Sequence, residues 1–131
     1  MSNEFCGTGN IGDAPTLKTV SAAGKDMKVA ELRVFFDDYK PGVDGSFEQT
    51  GGFWLTVSVW GDRLAESVSR HLRKGVRVHV TGRLTENAWS SQETGEERRA
   101  MQLNADNVYL SLGRIEDVRF IAKRDVDAAV A

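Results

Sequence analysis

Phe53-Trp54-Leu55-Thr56-Val57-Ser58-Val59-Trp60 alternates between two kinds of side chain without a break. Successive side chains of a β-strand point to opposite faces. Residues 52–60 therefore predict a strand that turns Phe53, Leu55, Val57 and Val59 to a core. Its other face carries two indoles, Trp54 and Trp60, on either side of Thr56 and Ser58. The rest of the chain has to supply a fold in which such a strand is central and its aromatic face looks outward.

The neighbouring segments do so. Residues 27–36 alternate with Ala30, Leu32, Val34 and Phe36 inward and Val29, Glu31, Arg33 and Phe35 outward. Residues 76–83 turn Val76, Val78 and Val80 inward and Arg77, His79 and Thr81 outward. Residues 98–111 set Met101, Leu103 and Ala105 against Gln102, Asn104 and Asp106, and an opening strand is expected at 3–11. Between the third and fourth strands, Leu64, Val68 and Leu72 recur at helical spacing with Ala65 beside them, predicting a helix over 62–72 that plugs one end of a barrel. Arg73-Lys74-Gly75 is a stop signal, with cations at the negative end of the helix dipole. Three strands, a helix and two strands in a small all-β chain point to the five-stranded Greek-key barrel of the OB fold. Residues 1–112 form that domain, and 113–131 a short extension, helical or disordered. Two polar connections, 37–50 and 84–97, read as long loops; the second carries Trp89.

Bulk properties narrow the function. A chain of 131 residues suits one domain, and a net charge of −2 rules out a general polycation without excluding a local basic stripe. A single cysteine, Cys6, points to a reducing compartment, and neither a membrane-length apolar run nor a signal-peptide pattern occurs, so a soluble cytoplasmic protein is expected. Enzyme chemistry is not expected. His71 and His79 have no nucleophile in a recognisable motif, and no Cys/His spacing suits a metal. No cofactor is expected either: Gly7-Thr8-Gly9-Asn10-Ile11-Gly12 fits a dinucleotide fingerprint only superficially, and its glycines suit a strand bulge better.

What remains is aromatics where a core does not need them. Trp54 and Trp60 share an outer face with Phe35, while Trp89 and Tyr39 lie in the two polar connections. Bases of any sequence stack on such rings, each worth roughly 1–3 kcal/mol; burial in a subunit interface is the competing use. From residue 60 to 83, six basic residues face two acidic ones, a local net charge of +4. Arg33, Arg73, Lys74, Arg77 and Arg83, joined by Arg98 and Arg99, are the candidates for phosphate contacts.

Read together, Gly9-Asn10-Ile11-Gly12-Asp13-Ala14-Pro15, Val29-Ala30-Glu31-Leu32-Arg33-Val34, residues 53–66, Leu72-Arg73-Lys74-Gly75, Val80-Thr81-Gly82-Arg83-Leu84 and Trp89 resemble, in order and spacing, the bacterial single-stranded DNA-binding protein family. The resemblance covers about residues 5–112 and implies an OB fold, sequence-tolerant binding of single-stranded DNA in replication, recombination or repair, and a homotetramer, with a dimer as the other possibility. It puts stacking aromatics at Trp54, Trp60 and Trp89, and approximately at Tyr39. A primosome-type accessory protein of the same fold, acting through protein partners, is the alternative. The ending Asp125-Val126-Asp127-Ala128-Ala129-Val130-Ala131 lacks the family's terminal Phe, which leaves tail-mediated recruitment of repair enzymes doubtful.

Overall fold

The structure, a computed structural model, describes residues 3–122 apart from the side chains of Ala22, Tyr39, Lys40, Phe47 and Glu48. Its elements run β1 (Asn3–Ile11), β2 (Thr16–Ala22), β3 (Lys25–Pro41), β4 (Phe47–Trp60), α1 (Asp62–His71), β5 (Arg77–Ser90) and β6 (Glu97–Leu110). The sheet order is β1-β5-β6-β4-β3-β2, and β1 also pairs with β3, which closes β1, β3, β4, β5 and β6 into the OB barrel. Closure removes the open edges that a flat sheet would leave. The β4–β6 contact is parallel and the other pairings are antiparallel.

The barrel is filled largely as the alternation requires, although Met101, grouped with Leu103 on the last strand, lies out on the β5–β6 hairpin and is 47% exposed. Ala30, Leu32, Val34, Phe36, Leu55, Val57, Val59, Val78, Val80 and Leu103 are buried, and Ala65, Val68 and Leu72 of the helical segment pack on them. The helix begins after Gly61, whose φ of 107° lies in the left-handed region that favours glycine, and the turn beyond it uses Gly75 at φ 91°. Lys28 is ion-paired to Glu66, and its backbone N–H donates to Asp62 Oδ1 at 2.8 Å, so the start of β3 and the helix are tied together.

Several expectations change. β2 is a strand that the sequence reading passed over. It forms a hairpin with β3 through Ala23-Gly24, both at positive φ (53° and 79°), the two-residue turn whose twist matches the strands. The stretches 37–50 and 84–97 are mostly strand rather than loop: β3 and β4 pair out to Pro41 and Phe47, and β5 and β6 out to Ser90 and Glu97. Phe53 is 45% exposed instead of buried, because it lies at the barrel mouth, edge-on to Phe5 and beside Phe36. Val29, expected outward, is 3% exposed; its register neighbours on that face are Lys18 and Trp60, whose larger side chains flank it. The glycines of 7–12 do not form a bulge. They lie where β1 passes between β5 and β3: Gly9 is paired with both Val78 and Phe36, and a Cβ there would meet the Phe35 carbonyl at 2.2 Å. The extension holds a 3-10 turn at Leu112–Arg114 and no regular element over 115–122; its last residues lie outside the described residues.

Candidate nucleic-acid interface

Register decides which outward side chains share a surface. Across β3 and β4 the outer pairs are Phe35 with Trp54, Arg33 with Thr56, Glu31 with Ser58 and Val29 with Trp60. The parallel contact adds Gln102 beside Thr56 and Asn104 beside Ser58, and β5 then adds Thr85 opposite Gln102 and Arg83 opposite Asn104. Residues two apart on a strand share a face, so the same surface continues along β5 through Asn87 to Trp89, which stands opposite Arg98. Trp54, Trp60 and Trp89 therefore occupy one continuous outer surface.

The three indoles are 43–49% exposed, each half seated and half available. Trp54 leans on Phe35, with ring centroids 5.2 Å apart, and the Arg33 guanidinium lies 5.6 Å from its centroid, a cation–π arrangement. Trp60 Nε1 donates to Asn104 Oδ1 at 3.3 Å, and Asn104 Nδ2 donates in turn to Thr85 Oγ1 at 3.2 Å. Gln102 Nε2 donates to Ser58 Oγ at 2.5 Å, and Ser58 is accordingly 2% exposed rather than open on the surface. The floor between the tryptophans is thus polar and internally hydrogen-bonded, and it holds Trp60 without covering it.

The expected cations divide. Arg33, Arg83 and Arg98 lie on the aromatic surface. Arg73 and Lys74 sit in the turn after the helix; its Gly75 N–H donates to the Ile11 carbonyl at 2.7 Å, next to the point where Trp54 meets Gly12. They line an open groove of about 780 Å³ together with Arg70, Arg114, Glu116 and Asp117. Arg77 is committed elsewhere: it forks onto Asp37 at 2.8 and 3.0 Å and donates to Asn10 at 3.4 Å, and the Asp37 side chain is 2% exposed. A buried carboxylate needs such a partner, and Arg77 supplies it. Arg99 stands opposite Ala88, on the other face of the β5–β6 hairpin from Trp89, and pairs with Glu86 and Glu97. Tyr39 lies on β3 opposite Gln49, beyond the register shift at Asp38/Tyr39, and its side chain lies outside the described residues. Among the described residues, no cluster of His, Cys, Asp or Glu could hold a metal ion, and no helix is long and apolar enough to cross a membrane.

Two partners in this surface escaped the sequence reading: Asn104, which holds Trp60, and Gln102, which covers Ser58. Only their outward parity on the last strand marked them, and that parity did not say what stood opposite.

Comparison with known proteins gives a consistent picture. The model of the single-strand binding protein family matches residues 2–111. A single-stranded DNA-binding protein of Corynebacterium glutamicum is 42% identical over 106 residues, 79% of this chain and 44% of that protein. Single-stranded DNA-binding protein 2 of Streptomyces coelicolor is 33% identical over 106 residues, 79% of this chain and 50% of that protein. The chain thus spans about half the length of these relatives. Among solved structures, the small single-stranded DNA-binding protein of Streptomyces coelicolor aligns with a TM-score of 0.66 at 21% identity, over 87% of this chain and 98% of that one. The Plasmodium falciparum protein in complex with single-stranded DNA aligns with a TM-score of 0.68 at 17% identity, over 85% and 96%. At those identities the likeness is one of fold.

Proposed function

Because this chain belongs to the single-strand binding protein family, we propose that it coats single-stranded DNA without reading its sequence, by stacking bases on Trp54, Trp60 and Trp89. The observation that carries the reading is the placement of these half-exposed indoles on one barrel surface, with Arg33, Arg83 and Arg98 between and beside them. Every base offers a π-face, so such platforms hold unpaired strand of any composition. The arginines neutralise phosphates as the strand passes, and Arg73 and Lys74 extend the path at the Trp54 end. Asn104 holds the Trp60 ring by a hydrogen bond, and Phe35 and Arg33 seat Trp54, so less ordering cost falls on those two rings when DNA arrives. The proposal includes no enzymatic step.

The proposal extends to a homo-oligomer, a tetramer or a dimer, working in the cytoplasm on the nucleoid; it rests there on family membership. The primosome-type alternative loses ground because the relatives described above are named for single-stranded DNA rather than for protein partners. Titration of the intrinsic tryptophan fluorescence with oligo-dT tests the central reading. Saturable quenching that weakens with salt is expected. An emission spectrum indifferent to oligo-dT, in protein that is folded by circular dichroism, overturns it. Light scattering at several protein concentrations tests the oligomer.

A further inference from the structure

Gly12, immediately after β1, is tightly held. Its N–H donates to the Arg33 carbonyl at 2.7 Å. The preceding residue is held twice: Ile11 N–H donates to the Val76 carbonyl at 2.9 Å, and the Ile11 carbonyl accepts from Gly75 N–H at 2.7 Å. The backbone at 11–12 is therefore clamped between β3 and the turn after the helix. A Cβ on Gly12 would stand 2.4 Å from Trp54 Cζ3 and 2.6 Å from Cη2, far inside van der Waals contact. Gly12 is also not among the glycines at positive φ. Its backbone conformation is one that any residue adopts, and only the indole requires the missing side chain.

We infer that Gly12 is a positioning residue for DNA: bare backbone at this point is the third support of the Trp54 platform, beside Phe35 and Arg33. The inference rests on the proposed stacking of bases on Trp54. When a methyl group is added, something has to move. The backbone is fixed by three hydrogen bonds, whereas the ring is 48% exposed and meets Gly12 only with its far edge. The ring swings and the fold stays. A base that stacked on the seated ring then meets one turned away from Phe35 and Arg33.

The experiment is oligo-dT titration at one salt concentration for the parent, Gly12→Ala, Trp54→Ala, Trp54→Phe and the two double variants, each with a thermal melt. Gly12→Ala is expected to melt within about 4 °C of the parent and to bind about tenfold more weakly. In the Trp54→Ala background it should cost nothing further. In the Trp54→Phe background, where the outer ring atoms are gone, it should also be silent. A parent that binds, with Gly12→Ala either unchanged or equally damaging in the Trp54→Ala background, overturns the positioning role and leaves the proposed function standing. A parent that does not bind removes both. If Gly12→Ala unfolds, recovery of the fold by Trp54→Phe supports the contact, and failure to recover it shows that residue 12 is needed for a reason other than the ring.

Discussion

Replacing Arg83 and Arg98 together by Ala tests the geometry of the charged path most sharply. Both lie on the aromatic surface, opposite Asn104 and Trp89 respectively, and neither makes an ion pair among the described residues. Their removal leaves no buried group unpaired, so stability should change by no more than about 0.5 kcal/mol. On single-stranded DNA each phosphate contact contributes about −0.7 to the slope of log K against log salt. Loss of two contacts should make that slope shallower by about 1.4. Between about 50 and about 200 mM salt, a fourfold change, the double variant should therefore regain about sevenfold on the parent, with its largest deficit at the lowest salt. Arg99→Ala is the matched control, because Arg99 lies on the opposite hairpin face with Glu86 and Glu97 and should leave the slope unchanged. The assay is fluorescence titration with oligo-dT over five salt concentrations. A parental slope in the double variant, or an equal loss of slope in Arg99→Ala, shows that the strand does not follow the surface defined by the register.

Trp89→Ala should weaken oligo-dT binding by roughly 1–3 kcal/mol while barely moving the melting temperature, since Trp89 is 49% exposed on an exposed hairpin; equal titration curves for variant and parent count against stacking there. Arg77→Ala removes the charged partner of the Asp37 carboxylate, whose side chain is 2% exposed, and leaves it the long contact from Asn10 Nδ2 at 3.4 Å, so it should cost about 3 kcal/mol in urea unfolding while leaving the salt slope of binding intact; a changed slope at parental stability would restore Arg77 to the DNA path. Glu66 accepts the Lys28 hydrogen bond and holds the ammonium pKa above its usual 10.5. A raised cationic pKa means stability that is present in full below the unfolded value and lost as pH rises through the folded one. Thermal melts of Lys28→Met should therefore fall less than those of the parent above about pH 10.5, and parallel curves would show that the pair contributes nothing.

The inward residues of the central strands could be read from the chain because burial on a barrel strand is local: every second residue meets the core, so Ala30, Leu32, Val34, Leu55, Val57, Val59, Val78 and Val80 carry their own signal. The helix was legible for the same reason, with its apolar stripe ending at glycine. Where strands leave the barrel, both faces meet water and the alternation stops. The outer halves of β3–β4 and β5–β6 consequently read as polar loops, though their backbones pair to Pro41 and Ser90. β2 escaped because its turn, Ala23-Gly24, lacks the Asn or Asp that usually marks a two-residue hairpin. Sequence parity thus determined that Trp54, Trp60, Phe35 and Arg33 face outward. It could not determine what stands beside them, because neighbours across a sheet are set by register between distant segments. Only the closed barrel brought Asp37 to Arg77, put Arg98 and Arg99 on opposite faces, hydrogen-bonded Asn104 to Trp60, and laid the edge of Trp54 on the bare backbone of Gly12.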